Sequence, residues 1–585
     1  MSKLKFIVLC LLCAATGLQA QTLVGDYEEL PNPAVAPVGE WNKLSALAIG
    51  WGTTDMRYAK ERPVARKNLS LKANLHGWKN ETVSAQAVVS APQGLKGLHA
   101  VCSDLSGKAG SIEARHIELY FARYVMTDEL NKDGGGGCGN RQKADYDSSL
   151  VADPLCPLQS LNVEPQTTRT IWFSLHIPAS TAAGNYRGTI ELRDAAEATL
   201  GILSLQVEVA NRMLPNPSEW AFHLDLWQNP YAVARYHGVE PFSQAHFSAM
   251  EPVMRRYAQA GGKVITASIN HKPWNGQTQD HFESMITWLR RADGSWAFDY
   301  TTFDKWVEFM MSMGVTEQIN CYSIIPWRLS FQYFDGASNS FKFLKAQPDS
   351  PEYREFWGRM LRDFAAHLKA KGWFEKTHIA IDERPMKAVL AALDVVKQAD
   401  PDFKIAYAGH YHEELAMLID DYCVTLLHDE FPTDVLTKRK AAGFISTYYT
   451  CCSEPRPNGF TFSPPAESEW LGWYAARENL DGYLRWALNS WTTAPFQDSR
   501  FRTWAAGDCY QLYPGQTSSI RFERLREGIQ AYEKIRLLRQ EFQQRNNQKG
   551  LAAINRLLEA FDRFGLDQTS AAEVVARAKK QLNNL

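Results

Sequence analysis

The chain has 585 residues, too many for one ordinary domain, so two or three domains are expected. Its formal net charge of −2 gives no support to binding of nucleic acid or of an acidic polymer. The hydrophobic fraction of 45% is enough for large cores, and the 18 Trp and 23 Tyr residues offer flat faces that suit stacking on sugar rings, although most are expected to serve packing.

The first 20 residues have the pattern of a secretory signal peptide. Lys3 and Lys5 precede an apolar run from Phe6 to Leu18, and a cleavage site follows near Ala20. The run is too short for a membrane span, and no later segment approaches about 18 uninterrupted apolar residues. The sequence therefore predicts an exported protein, periplasmic or extracellular, with no membrane span.

Eight cysteines remain after the signal peptide. Cys138 and Cys156 flank a glycine-rich loop and are candidates for a disulfide in an exported protein. Cys321 and Cys423 lie in apolar strand-like runs and are predicted to be free buried thiols. After the predicted signal peptide no CxxC pair, HExxH motif or histidine cluster occurs, so no metal and no other cofactor is predicted.

Residues 21–215 are predicted to form a β-sandwich. Alternating apolar and polar residues indicate strands at 82–89, 117–121, 171–177, 186–192 and 203–209. Residues 133–144, with four consecutive glycines, are predicted to be a flexible surface loop. The segment Leu214-Pro215-Asn216-Pro217 is stiff and marks a domain boundary.

Residues 218–519 have the strand–helix rhythm of a (β/α)8 TIM barrel. Strands are predicted at 221–227, 263–269, 319–325, 377–382, 404–409, 423–428, 443–450 and 483–490. Amphipathic helices are predicted between them at 244–260, 302–313, 351–371, 385–399, 433–441 and 467–479. Eight alternations over this length are typical of the fold. Residues 520–585 are charged and helical, and are predicted to close or flank the barrel.

Polar and aromatic side chains occur where the predicted barrel strands end, which is where active sites of this fold lie. Any one of them could be a satisfied polar residue of the barrel interior. Their convergence predicts a polar, aromatic pocket with these candidate binding residues: His223, Asp225, Asn270, His410, Tyr448, Tyr449, Asn489 and Trp491.

Asp382 and Glu383 end the apolar run Thr377–Ile381 and are the candidate catalytic pair. Hydrolysis of a glycosidic bond needs one carboxylic acid to protonate the leaving oxygen and a second group to stabilise the oxocarbenium-like carbon. Adjacent strand residues point to opposite sides, so both can serve one pocket only where the strand curls into a loop. Arg384-Pro385 predicts such a break. The alternative is structural: Glu383 pairs with Arg384 or caps the next helix.

The chain resembles glycoside hydrolase family 123, the exo-β-N-acetylgalactosaminidases. The resemblance depends on the segments 379–383 and 482–491, and on a late block at 507–515 and 519–528 that is the most specific marker. It extends over the whole mature chain. It implies an N-terminal β-sandwich, a catalytic barrel and a helical tail.

The family resemblance also implies substrate-assisted catalysis with net retention, through an oxazolinium-type intermediate. Glu383 would be the general acid and later the base that activates water. Asp382 would orient the acetamido N–H group, and Tyr448 or Tyr449 would donate to the acetamido oxygen. The expected partner is the terminal N-acetylhexosamine of a glycan or glycolipid.

Two alternatives stay open at this point. A retaining glycosidase with a protein nucleophile would use Glu454, which follows the seventh predicted strand. A non-catalytic glycan-binding protein would need no adjacent unpaired acids. The sequence does not distinguish GalNAc from GlcNAc and leaves the linkage, the aglycone and the oligomeric state open.

Overall fold

The computed structural model describes residues 27–33, 39–129, 132, 138–139, 144, 146–502 and 504–585. The predicted signal peptide and most of the predicted loop at 133–144 lie outside the described residues. Among the described residues, no helix combines the length and the apolar character needed to cross a bilayer.

The N-terminal part of the chain consists of two sheets around one hydrophobic core. One sheet has the order β1-β3-β10-β7-β8, and the other has β2-β12-β11-β4-β9 with the short pair β5-β6 on its side. Trp51, from the first sheet, donates its indole N–H to Ser204 O of the second at 2.9 Å. The strands are β1 (Ala48–Trp51), β2 (Lys72–Lys79), β3 (Thr82–Ala91), β4 (Leu95–Cys102), β5 (Leu105–Gly107), β6 (Gly110–Ile112), β7 (Ile117–Thr127), β8 (Ser149–Cys156), β9 (Leu161–Val163), β10 (Thr167–His176), β11 (Gly184–Arg193) and β12 (Thr199–Met213).

The remaining chain contains thirteen strands and ten α-helices among the described residues. The strands are β13 (His223–Leu226), β14 (Val264–Ser268), β15 (Thr287–Arg290), β16 (Trp296–Asp299), β17 (Gln318–Tyr322), β18 (Ser330–Asp335), β19 (Ser340–Lys345), β20 (Thr377–Ile381), β21 (Lys404–Ala408), β22 (Asp421–Thr425), β23 (Ile445–Tyr449), β24 (Gly482–Arg485) and β25 (Ser518–Ser519). The helices are α1 (Pro230–His237), α2 (Gln244–Gln259), α3 (Thr301–Met313), α4 (Pro351–Lys371), α5 (Met386–Ala399), α6 (Thr433–Ala441), α7 (Pro465–Glu478), α8 (Ile520–Gln544), α9 (Gln548–Leu558) and α10 (Ala571–Leu582).

Eight parallel strands form a nearly closed barrel in the order β13-β24-β23-β22-β21-β20-β17-β14. The two end strands approach one another where Lys263 N donates to Leu224 O at 3.0 Å. All eight correspond to the predicted strands, so the expectation of a parallel eight-stranded barrel is confirmed.

Local sequence signals set the helix that leads into β20. The Ser350 side chain accepts a hydrogen bond from Tyr353 N and caps α4, and Pro351 occupies its first turn. Gly372 ends the helix in a left-handed conformation with φ of 70°. These caps fix where the chain turns back into the barrel as β20.

The barrel also carries a four-stranded sheet in the order β16-β15-β18-β19, which the sequence analysis did not predict. Two of its strands, β15 and β16, come before β17 in the sequence, and β18 and β19 come after it. At the C-terminal end, β25 pairs with β8, so the barrel chain adds a strand to the N-terminal sheet.

Candidate active site

A cavity of about 510 Å³ lies at the C-terminal ends of the barrel strands. Asp382 and Glu383 both line it. β20 ends at Ile381, and Pro385 precedes α5 with an extended ψ of 134°, so the intervening residues lie on a loop. The predicted break is therefore present. Because Asp382 and Glu383 lie on a loop, their side chains need not point to opposite sides as they would on a strand. A larger recess of about 700 Å³ between α7, α8 and α9 has a single carboxylate, Glu559, in its lining.

The two carboxylates have different surroundings. Asp382 is buried, and its Oδ2 accepts a 2.8 Å hydrogen bond from Trp327 Nε1. Burial, together with the neighbouring Glu383, raises the pKa of Asp382 to about 7, although Trp327 and Arg384 act to lower it. Asp382 Oδ1 makes no hydrogen bond to any described residue. This oxygen is available to a ligand.

Glu383 is exposed and accepts a hydrogen bond from Tyr449 OH at 2.5 Å on Oε1. Tyr449 ends β23 and lines the cavity. Burial raises the pKa of the Tyr449 phenol well above its usual value, and the charge of the nearby Glu383 adds to this effect. The phenol is therefore a neutral donor at physiological pH.

Aromatic rings form much of the wall. Trp227 lines the cavity and stacks on Trp274 with ring centroids 4.9 Å apart. After the neighbouring strand β24, Trp486 meets Trp504 edge-on at 5.9 Å. Trp486 Nε1 donates to Asp508 Oδ2 at 3.2 Å, and Arg485 pairs with the other oxygen of that carboxylate. The walls suit a sugar ring, with apolar faces and a few fixed polar groups.

A disulfide between Cys138 and Cys452 forms part of the cavity lining. The predicted pair of Cys138 and Cys156 is therefore wrong. Cys156 is a buried residue at the end of β8, whereas Cys138 is exposed and lies beside the loop after β23. The Sγ atoms of Cys138, Cys451 and Cys452 lie within 4.8 Å of one another, and Cys451 is free. Cys321 and Cys423 are buried free thiols, as predicted.

Three predicted binding residues lie deeper in the barrel or beside it, outside the cavity lining: His223, Asp225 and Asn270. Alternate residues of a barrel strand fill successive interior layers. In β13 and its continuation, His223 and Asp225 fill the lower layers, and Trp227 reaches the cavity. His223 Nε2 lies 3.4 Å from Asp421 Oδ2. Burial and the Asp421 charge raise the pKa of Asp225 to about 7.

Three further predicted residues make structural contacts and do not line the cavity. Tyr448 OH donates to Leu471 O at 2.6 Å, and Trp491 Nε1 donates to Leu512 O at 2.8 Å. The side-chain amide of Asn489 accepts a hydrogen bond from Asn229 N and donates one to Asn229 O, both at 2.9 Å. His410 does line the cavity and bonds Asp429 Oδ2 at 3.0 Å. Of the predicted pair of tyrosines, the cavity therefore receives Tyr449.

The alternative nucleophile Glu454 is buried and does not line the cavity. Its Oε2 accepts hydrogen bonds from Cys451 N at 2.7 Å and Ser453 Oγ at 2.9 Å. These contacts hold Glu454 within its own loop.

The catalytic-domain model of glycoside hydrolase family 123 matches residues 227–538, and the model of the family's N-terminal domain matches residues 51–194. The chain belongs to glycoside hydrolase family 123. It is therefore a glycoside hydrolase, and the resemblance seen in the sequence is confirmed. The late block at 507–528 contributes Asp508 to the cavity lining.

One solved structure agrees with the family assignment, and two others are similar only in part. A family 123 glycoside hydrolase from Clostridium perfringens, described for hydrolysis of glycolipid glycans, superposes with a TM-score of 0.82 at 27% identity, covering 92% of this chain and 98% of that one. A GH10 xylanase from Thermobacillus composti has a TM-score of 0.28 at 13% identity, covering 53% of this chain and 97% of that one. A calcium-binding mutant of β-glucuronidase 2 from Bacteroides uniformis has a TM-score of 0.24 at 10% identity, covering 80% and 49%. A comparison with curated proteins gives no match.

Sequence reasoning missed several cavity residues. Trp327 and Gln277 come from long loops after β17 and β14, whose course no strand periodicity predicts. Trp504, which is distant in sequence, donates its indole N–H to Gln277 O at 2.9 Å. The polar signal at strand ends could have indicated Trp486, which follows β24 directly.

Proposed function

We propose that this hydrolase removes terminal β-linked N-acetylgalactosamine from glycolipids or other glycans, with net retention, through an oxazolinium-type intermediate. The observation that supports it best is the loop placement of Asp382 and Glu383, which brings two adjacent carboxylates to one cavity. We also propose, from the pattern of residues 1–20, that the protein is exported.

In the proposed first step, the acetamido carbonyl oxygen of the substrate attacks its own anomeric carbon, and Glu383 transfers a proton to the departing glycosidic oxygen. Asp382 accepts a hydrogen bond from the acetamido N–H while positive charge develops on the ring that forms. In the second step, Glu383 takes a proton from water, which attacks the anomeric carbon and restores the acetamido group. Tyr449 holds Glu383 in place before the substrate binds and is a candidate donor to the acetamido oxygen.

A protein nucleophile is less well supported. Retaining enzymes of that kind place two carboxyl groups about 5–5.5 Å apart across the scissile bond. The residue of the seventh barrel strand that lines the cavity is Tyr449, and Glu454 is held in its own loop.

The test is hydrolysis of the 4-nitrophenyl β-glycosides of GalNAc, GlcNAc and galactose by the wild type and by Glu383→Gln, Asp382→Asn and Glu454→Gln variants. We expect turnover of β-GalNAc, loss in the first two variants and near-wild-type turnover in the third. Fluorination of the acetamido methyl group should slow the wild type progressively, because it weakens the carbonyl oxygen as a nucleophile. Efficient cleavage of the galactoside, or indifference to fluorination, would contradict acetamido assistance.

A further inference from the structure

The inserted sheet has one face buried against the barrel. Trp288, Trp296, Phe331 and Tyr333 all place their rings within 6.3 Å of the Phe356 ring on α4. Because side chains alternate along strands, the neighbouring residues project from the opposite face. That face is turned away from α4.

This outward face carries an apolar stripe across all four strands. Ala297 pairs with Leu289, Leu289 with Phe334, and Phe334 with Phe341. Phe341 and Phe343 are 62% and 51% exposed. Two neighbouring phenylalanines so exposed on one edge hairpin form an apolar surface that has no partner among the described residues. We call this surface the aromatic face.

The aromatic face is continuous with the rim of the active-site cavity. Trp327 lines the cavity and is 40% exposed, and β18 begins three residues later at Ser330. Ser330 pairs with Lys345, and Phe343 lies two residues before Lys345 on the same strand. A second path runs through the loop after β14, where Trp327 N donates to Pro273 O at 2.9 Å and the His271 ring lies 6.3 Å from that of Phe343.

Cationic side chains border the aromatic face at its cavity end. Arg328 and Lys345 are exposed, and neither makes an ion pair with any residue that the structure describes. Two acids of this region are already paired, Glu283 with His271 and Asp335 with Lys342. The border therefore offers positive charge next to exposed aromatic rings.

We propose that the aromatic face is a docking surface for a lipid bilayer, which it contacts while the cavity takes the sugar of a membrane-held glycolipid. The inference rests on the proposed function. Apolar rings beside lysine and arginine match the boundary between acyl chains and anionic headgroups. The continuity of this face with the cavity rim places the lipid beside the site where the glycan is cleaved.

The test is flotation of the full chain with phospholipid vesicles, one set of phosphatidylcholine and one with added phosphatidylglycerol. We expect the wild type to bind, more strongly to the anionic vesicles. The Phe341→Ser/Phe343→Ser variant should bind about tenfold or more weakly, because it removes two apolar side chains from the contact. Phe564→Ser is the matched control, since Phe564 is 58% exposed and lies in the C-terminal helical region. It should bind as the wild type does.

A second variant keeps the proposal testable if the double substitution impairs folding. Lys345→Glu with Arg328→Glu should abolish the preference for anionic vesicles. Turnover of a soluble aryl β-glycoside should be unchanged in the Phe341→Ser/Phe343→Ser variant, whereas turnover of a glycolipid in vesicles should fall about tenfold. Flotation requires no turnover, so failure of the proposed sugar specificity would not affect it.

Three results would overturn the docking proposal. The first is failure of the wild type to float, and the second is flotation of the double variant that equals that of the wild type. The third is a wild-type dimer in sedimentation velocity that the double variant abolishes, which would show that the face joins two copies of the chain.

Discussion

Trp327 donates its indole N–H to Asp382 Oδ2 at 2.8 Å. This contact joins the buried carboxylate to a rim residue of the cavity, and the Arg384 guanidinium lies 5.4 Å from the centre of the same indole ring. The hydrogen bond stabilises the charged form of a carboxylate whose burial favours the neutral form. In the proposed mechanism, the negative charge of Asp382 stabilises the positive charge that develops on the acetamido group, so Trp327 is expected to act through Asp382.

Trp327→Phe should move the acidic limb of the pH profile. Removal of the hydrogen bond should raise the pKa of Asp382 above about 7, by about one pH unit, and activity below that pKa should fall. The measurement is kcat/KM on a soluble aryl β-glycoside from pH 5 to about 9. Trp504→Phe is the control, because Trp504 also lines the cavity but donates to Gln277 O. A limb that stays in place in the Trp327 variant would contradict this role.

Asp382→Asn should inactivate the enzyme and stabilise the fold at alkaline pH. The pKa of Asp382 is raised from 3.8 to about 7 in the folded protein, so ionising this carboxylate costs folding free energy. The cost is absent below about pH 4 and complete above about pH 7. The variant should therefore gain about 2–4 kcal/mol in the free energy of unfolding at pH 8, relative to its difference from the wild type at pH 4. Guanidinium unfolding at both pH values measures it, and a pH-independent difference would contradict the assignment.

Tyr449→Phe should lower activity and Tyr448→Phe should lower stability, although the two residues are adjacent. Tyr449 OH contacts Glu383 in the cavity, so its loss should lower kcat/KM about 10- to 100-fold. Tyr448 OH donates to Leu471 O in the core, so its loss should cost about 1 kcal/mol in stability and leave kcat/KM unchanged. Kinetics and thermal unfolding of both variants decide the matter. Equal effects on activity would contradict a role for Tyr449 in catalysis.

The periodicity of the sequence predicted the barrel well. All eight strands, and helices such as α4, lie within a few residues of their predicted bounds. A buried parallel strand is a continuous apolar run, and amphipathic helices with clear caps separate these runs. The inserted sheet was missed because its short strands lie in loops between β14 and α4, where no strand–helix alternation marks them.

The candidate site was predicted less completely, because sequence parity indicates which residues face the barrel interior but not how deep they lie. Asp225 and Trp227 have the same parity, yet only Trp227 lines the cavity. Contacts from distant segments, such as Trp327 with Asp382, depend on loop paths that the sequence pattern does not define. The pair Asp382 and Glu383 was identifiable because both the strand end and the proline break are local.

The Cys138–Cys452 disulfide should contribute both to stability and to the shape of the site, because it joins positions 314 residues apart and lines the cavity. Cys138→Ser should lower the free energy of unfolding by about 2–5 kcal/mol, because the cross-link closes a long loop in the unfolded chain. KM should rise several-fold as the wall loosens. Cys102→Ser, which removes a free cysteine of the N-terminal domain, is the control and should change neither.

Peptide mapping without reductant checks the pairing itself. Proteolysis should release a cross-linked peptide containing Cys138 and Cys452, with Cys451 recovered as a free thiol. Burial raises the pKa of Cys451 well above its usual value, so this neighbouring thiol should exchange with the disulfide slowly at neutral pH. A peptide that joins Cys138 to Cys156 would contradict the pairing. An unchanged KM in Cys138→Ser would show that the disulfide has no part in shaping the site.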